Sequence, residues 1–345
     1  MVPKRARLKD VAEKAGVAVN TASTILNRKP NSWASKETEE RVFKAARELN
    51  YRPNRAAKSL QAGKFNAVGL LIADINNPYF TNFAEMMAID LEQKGYNLVI
   101  ESWRTDVDRE VKQMKDLVDR TVDGVVAFVS DVEIHRDFLE YQAKAGYPIV
   151  IMAMPGAKDI PVDAVMPDFE TGLEEAAKVL MQQGHKNVAF LAARSKGQRV
   201  GGRPAIFERI FQQLLGSKPT VVECGATIED ALATAKTLLS SDSRPSAVIA
   251  LNDFSAIGVM RAAKELGLSV PGDLSVVGID GVPLAAHLPV SLSTIVMPHL
   301  DMVQQASKFL HERIIGEAGE AVRHAKFPTH FLQRESSAKA PAQGQ

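Results

Sequence analysis

Residues 8–27 read LKDVAEKAGVAVNTASTILN. Leu8, Val11, Ala12 and Ala15 recur at i, i+3, i+4 and i+7, one face of a helix, and Gly16 stops it. The pattern restarts over 18–26, turning Ala22, Ile25 and Leu26 inward and leaving Val19, Asn20, Thr21 and Thr24 outside. Each segment is far below the roughly 12–15 residues at which an isolated helix is even marginal in water, so each needs a packing partner. Ser35 is a good N-cap for a third helix, and Val42, Ala45, Ala46 and Leu49 form its inward face. Two short helices joined by a glycine turn and closed by a third predict a helix-turn-helix, whose second helix fits a DNA major groove. The pattern alone also fits other small helical hairpins.

The charge around this stretch narrows the choice. Residues 1–64 hold 15 Lys and Arg against 6 Asp and Glu, while the remaining residues hold 27 against 35. A basic head on an acidic body calls for a polyanion at one end: DNA, RNA or an anionic surface. No run reaches the 18–20 or so apolar residues of a membrane span, and no apolar stretch of signal-peptide type opens the sequence, so a cytoplasmic protein without membrane contact is expected. After the third helix comes NYRPNRAAKSLQAGK, in which Pro53 stops the chain and Asn54 can cap a short helix with a weak Ala56, Ala57, Leu60 face. This piece is too short to fold alone and reads as a linker that becomes helical with support.

From Asn66 onward short apolar runs alternate with amphipathic stretches: AVGLLIA, YNLVIES, GVVAFV and PIVIMA, then NVAFLAA, TVVEC, SAVIAL and LSVVGI. Runs of this kind between helices predict parallel sheets covered on both faces. The series restarts near Asp168, which predicts two similar α/β units with a ligand between them at the strand C-termini. A return helix over 300–315 and a final strand in KFPTHFLQRES make three crossings. The single cysteine, Cys224, rules out an internal disulfide and reads as a buried thiol. There is no GxGxxG, GxxxxGK[ST], GxSxG or HExxH, and the seven His form no metal-ligand spacing on one helix, so no cofactor, no metal and no catalytic residue are expected.

The motifs DVAEKAGV with TASTILN, then TEERVFKAARELNYRPNRAAKSL, resemble the DNA-binding head of the LacI (lactose-repressor) family in order and spacing. VGLLIADINNPYF, GHKNVAFLA and ALNDFSAIGVMRAAKELGLSVPGDLSVVGID extend the resemblance to the family's periplasmic-binding-protein-like body. The resemblance implies an α/β fold: a three-helix head over 1–53, a hinge helix over 54–65 and an effector domain over 66–335. Its subdomain 1 would be 66–165 with 295–320, its subdomain 2 would be 166–294 with 321–335, and 336–345 would be a flexible tail. It also implies base reading by Val19, Asn20 and Thr24 and a minor-groove wedge at Leu60. Further DNA contacts would come from Leu8, Thr21, Ser23, Asn27, Tyr51, Asn54, Arg55 and Ala57.

For the effector, the matching positions are Asp74, Asn77, Tyr79, Phe80, Asp168, Phe169, Arg203, Asn252 and Asp280. An aromatic pair can stack on a ring face, while Arg, Asn and Asp fix polar groups. The sequence departs from the family where Arg7 and Ala18 replace capping Ser or Thr, where Asp168-Phe169 replaces Asp-Asn, and where Asp280-Gly281 replaces Asp-Asp. The last two argue against the usual neutral hexose. Arg203 with Arg194, Lys196 and Arg199 leaves room for a sugar acid or sugar phosphate. The expected protein is a homodimeric repressor on a pseudo-palindromic operator, controlled by a small-molecule effector. A solute-binding protein, a purine-type corepressor-dependent regulator and a sugar-modifying enzyme are the rivals.

Overall fold

The structure, a computed structural model, describes residues 6–27, 34–52, 63–120, 122–152, 159–193, 202–216 and 218–341. Asn54, Arg55, Ala57 and Leu60 of the expected hinge, and Arg194, Lys196 and Arg199, lie outside the described residues. The chain divides into two units, Met1–Phe65 and Asn66–Gln345.

In the first unit α1 (Leu8–Ala15), α2 (Val19–Leu26) and α3 (Lys36–Glu48) close over a small core of Val11, Ala12, Ala15, Ala22, Ile25, Val42, Ala45 and Ala46. Gly16 takes the left-handed conformation, φ 66°, that the turn between α1 and α2 requires and that a Cβ would resist. Ser35 caps α3 by accepting from the Thr38 N–H at 3.3 Å. The cap missing at Arg7 is partly replaced: Asp10 reaches back to the Arg7 N–H at 2.7 Å. At Ala18 no side chain substitutes.

The second unit holds two six-stranded sheets. Sheet 1 is ordered β11-β5-β4-β3-β1-β2, from β1 (Ala67–Ile72), β2 (Asn97–Ser102), β3 (Gly124–Phe128), β4 (Ile149–Met152), β5 (Asp163–Asp168) and β11 (His324–Pro328). All its neighbours pair in parallel. Sheet 2 is ordered β12-β10-β9-β8-β6-β7, from β6 (Val188–Ala193), β7 (Thr220–Cys224), β8 (Ala247–Ile249), β9 (Ser275–Asp280), β10 (Ser293–Val296) and the antiparallel edge β12 (His330–Leu332). The central strands are buried without interruption, as strands covered on both faces must be: Gly124–Phe128 and Ser275–Asp280 expose nothing substantial. In sheet 1, α4 (Pro78–Gln93) and α11 (His299–Ile315) pack together on one side, with α5 (Val107–Asp119) and α6 (Val132–Lys144) in the separate core on the other. In sheet 2, α7 (Phe169–Gln182) packs on α8 (Arg203–Leu215), and α9 (Ile228–Leu239) packs on α10 (Asp253–Glu265).

Three expectations about the chain path need correction. The segment 321–335 is not all in the second half: Pro328 ends β11 in sheet 1, Thr329 turns the chain, and β12 joins sheet 2. Asp168 and Thr329 are stitched there, the Asp168 carbonyl accepting from the Thr329 N–H at 3.1 Å and its hydroxyl at 2.7 Å. The boundaries at 165 and 294 fall inside strands, since β5 runs to Asp168 in sheet 1 and β10 runs to Val296 in sheet 2. Nor is the tail free over its described part. The Ser336 hydroxyl donates to the Val276 carbonyl at 2.6 Å, the Val276 N–H donates to the Ser336 carbonyl at 2.8 Å, and the Ala340 N–H donates to the Gln183 carbonyl at 2.8 Å. The Ser336 and Ser337 side chains are buried there.

Among the described residues no helix is long and apolar enough to cross a membrane, and no cluster of three or more His, Cys, Asp or Glu is placed to hold a metal ion.

Candidate functional sites in the head and the cleft

In the head the inward faces of α1–α3 are consumed by the core, and α2 turns its other face outward. Val19 is 42 % exposed and Asn20 is exposed, while Thr21, Ser23 and Thr24 are half-buried. Asn27 is engaged at the C-terminus of α2, donating to the Ser23 carbonyl at 2.8 Å and to its hydroxyl at 3.3 Å. Leu8 and Tyr51 pack against the head core. The outward side chains of α2 are short, so the helix backbone can approach a groove floor closely.

In the second unit the C-terminal ends of both sheets face one cleft of about 170 Å³. It lies where open α/β sheets hold ligands. It is smaller than the ~300–1,000 Å³ of drug-sized pockets and suits a small metabolite. Asp74, Asn77, Tyr79, Phe80, Arg203, Asn252 and Asp280 line it together, although they lie up to two hundred residues apart in sequence. Asp168 and Phe169 do not. Asp168 points its carboxylate at Lys326, 3.0 Å away, and Phe169 is buried with its ring 5.2 Å beneath the Arg203 guanidinium, which it supports.

Subdomain 1 supplies a ring wall. Tyr79 and Phe80 meet edge to face at 4.9 Å, and Phe80 meets Phe128 likewise at 5.2 Å. His299, at the start of α11, lies 4.8 Å from the Tyr79 ring. Burial pushes its pKa down to about 4, so it is neutral near pH 7, and its Nε2 has no partner among the described residues. Phe128, Met152, Met297 and Met302 were not singled out from sequence. The signal was present for two of them: Phe128 and Met152 stand next to last in the apolar runs GVVAFV and PIVIMA, and strand C-termini face the cleft.

Subdomain 2 supplies Arg203 and Asp280, while the carboxylate of Asp74 stands on subdomain 1. Arg203 opens α8, and its Nη1 donates to the Leu251 carbonyl over a long 3.4 Å, while its buried Nε finds no partner among the described residues. Asp280 ends β9 with φ 123°, a region L-residues rarely occupy, and is 4 % exposed. Burial, reinforced by the charge of Asp253, raises the Asp280 carboxyl well above its ordinary range, with Arg203 opposing. The strained turn is held from behind by Asp253, which was also missed. Its carboxylate accepts from the Val282 N–H at 2.8 Å and from the Thr294 hydroxyl. Gly281 follows at φ 75°, and a Cβ there would approach Val296 to 2.8 Å. The Asp280-Gly281 departure thus has a backbone cause.

A helix-turn-helix head joined to a two-lobed body with a cleft between lobes defines a ligand-responsive DNA-binding regulator. Residues 7–54 match the profile of bacterial regulatory proteins of the lacI family, and residues 177–337 match the periplasmic binding protein-like domain. The chain is 28% identical over 346 residues to the HTH-type transcriptional repressor PurR of Erwinia tasmaniensis, covering 97% of this chain and 98% of that protein. It is 29% identical over 330 residues to the ribose operon repressor of Halalkalibacterium halodurans, covering 96% of each. In fold it matches the lac repressor dimer bound to operator and the anti-inducer ONPF, with TM-score 0.81 and 23% identity, covering 97% of this chain and 100% of that one. The transcriptional regulator CelR–cellobiose complex matches with TM-score 0.68 and 26% identity, covering 96% and 100%. The chain thus carries a LacI-family DNA-binding domain and a periplasmic-binding-protein-like domain, the two parts of a DNA-binding regulator with a ligand-binding effector domain.

Proposed function

We propose that this protein is a cytoplasmic, homodimeric transcriptional repressor whose affinity for a pseudo-palindromic operator is set by a small metabolite in the cleft. The observation that carries this is the cleft itself. It lies between two lobes joined by three crossings, and the chain enters the first of those lobes directly from the head. Closing such a cleft moves one lobe against the other about those crossings, which is the hinge motion of two-lobed binding proteins. A coupling of about 1–3 kcal/mol, or roughly 5- to 150-fold in operator affinity, is enough for control. Val19, Asn20 and Thr24 would read bases, with Thr21, Ser23 and the hinge residues Asn54, Arg55, Ala57 and Leu60 adding contacts. Arg203, Asp280, Asn252, Tyr79 and Phe80 would hold the effector. Two-fold symmetry in the protein would match two-fold symmetry in the operator.

The test begins by selecting binding sites from random duplexes and measuring their affinity by fluorescence anisotropy. Affinity should fall steeply with salt, with a log-log slope of about −0.9 per phosphate neutralised. A compound that binds the cleft should shift operator affinity within the stated range, and one that binds tightly without shifting it would refute regulation by the cleft. A solute-binding role is disfavoured by the head, which serves no purpose in it.

A further inference from the structure

The three crossings between the lobes converge on one helical glycine. The first crossing has no loop: β5 ends at Asp168 in subdomain 1, and α7 begins at Phe169 in subdomain 2. Gly172 stands one turn into α7. A Cβ there would lie 2.6 Å from the Thr329 Oγ1 and 3.1 Å from the His330 nitrogen, both in the third crossing. It would also lie 2.7 Å from the Ile295 Cγ2 on β10, the strand whose end opens the second crossing. Glycine weakens a helix, and here it permits an approach that an alanine would obstruct.

A hydrogen bond is rerouted at this point. In a regular helix the Gly172 N–H would bond the Asp168 carbonyl, four residues back. Instead it donates to the Thr329 hydroxyl at 3.0 Å, and that hydroxyl donates to the Asp168 carbonyl at 2.7 Å. The Thr329 N–H bonds the same carbonyl at 3.1 Å. Thr329 is thus built into the first turn of α7, where it is 1 % exposed. One turn further along α7 the Glu175 carboxylate accepts from the Phe331 N–H at 2.8 Å, which fastens β12 to the same helix.

The first and third crossings are therefore tied to each other through the side chain of Thr329. Sliding at this joint would strand a buried N–H or C=O, so the lobes turn about it and do not part at it. We infer that Thr329 and Gly172 form the pivot of the lobe motion, with Thr329 a positioning residue that sets the angle between the lobes. This rests on the reading of the body as a hinged sensor. Valine keeps the shape of the Thr329 side chain and removes the relay, so the Gly172 N–H regains a partner only by moving toward the Asp168 carbonyl. Such a shift turns α7, and subdomain 2 with it, against the end of β5.

The experiment is single-molecule FRET on the full-length protein, labelled at Tyr141→Cys on α6 and Asp242→Cys beyond α9, one exposed position on each lobe. Cys224 is buried and does not compete for label. Labelled chains are diluted into excess unlabelled protein, so that each assembly reports one subunit. Thr329→Val should shift or widen the distance distribution, and Thr329→Ser, which keeps the hydroxyl, should leave it as in the wild type. Gly172→Ala, which crowds the same hydroxyl, should shift it independently. A valine variant of lowered Tm and unchanged distribution would make the relay an ordinary structural bond and overturn the pivot, as would a serine variant that behaves like the valine one. Should the valine and alanine variants fail to fold, hydrogen exchange on the wild type decides. Peptides over 168–173 and 328–331 should be as protected as those of β9, and exchange as fast as that of exposed loops overturns the pivot. Operator anisotropy separates this claim from the regulatory one. Thr329→Val should change operator affinity by about fivefold or more, the lower end of an allosteric coupling. A shifted distribution with unchanged operator affinity leaves the pivot standing and removes the regulatory reading. An unchanged distribution removes the pivot alone.

Discussion

The two walls of the cleft are built by opposite means. The subdomain 1 wall is part of a hydrophobic core: Phe128 is 9 % exposed and touches Tyr79, Phe80 and Phe83, so its position follows from close packing. The subdomain 2 wall is a polar lattice, in which Asp253 fixes the Asp280–Val282 turn by hydrogen bonds and holds a backbone angle that packing alone would not impose. One wall is shaped by volume and the other by direction. A ligand seated between them is located by the first and oriented by the second.

The comparison breaks most readily at the ring wall. Phe128→Ala should cost about 3–5 kcal/mol of stability in denaturant unfolding, because it opens a cavity where four rings meet. A loss under about 1 kcal/mol would mean that the wall is not set by packing. Next comes the lattice: Asp253→Ala strands the Val282 N–H and the Thr294 hydroxyl in the interior, on the order of 3 kcal/mol. Its pH dependence carries a further sign. Burial raises the Asp253 carboxyl to about 6, so the folded state holds the proton more tightly than the unfolded chain. The stability linked to this group is complete below the unfolded carboxylate pKa and is lost as pH rises through about 6. Tm should therefore climb as the solution is taken from neutral to about pH 5, and Asp253→Asn should flatten the climb. A climb of equal size in the variant would assign it to other groups.

A smaller effect is expected from Met302→Leu. This side chain is 1 % exposed, and a volume-conserving exchange should cost less than about 1.5 kcal/mol. A larger loss would give the thioether a role beyond filling space. Smallest of all is Lys326→Ala, which removes the exposed partner of Asp168 and should leave both Tm and cleft binding unchanged. A loss of ligand affinity there would return Asp168 to the effector site.

Much of this was readable in the sequence. The return helix expected over 300–315 is observed as His299–Ile315, and the third helix of the head starts at Lys36 directly after its expected Ser35 cap, because apolar spacing and a capping serine mark helix positions. Seven of the nine expected cleft residues do converge, since strand C-termini in parallel sheets must face one side. Asp168 and Phe169 escaped because a strand-end position does not reveal which way the first helical turn rotates. Asp253 escaped because a carboxylate that serves backbone donors leaves no pattern of its own. The split of 324–332 between the two sheets was hidden as well. Both strands are only three to five residues long, and Thr329, where they part, looks like any strand residue.

That split has a consequence for biosynthesis. β11 and β12 are edge strands of different sheets, and both lie within the last twenty-two residues, followed by the serine strap on β9. The head relies on contacts local in sequence and can fold as soon as it emerges, whereas neither sheet gains its outer edge until β11 and β12 have followed every other strand. The reader is thus finished well before either half of its sensor.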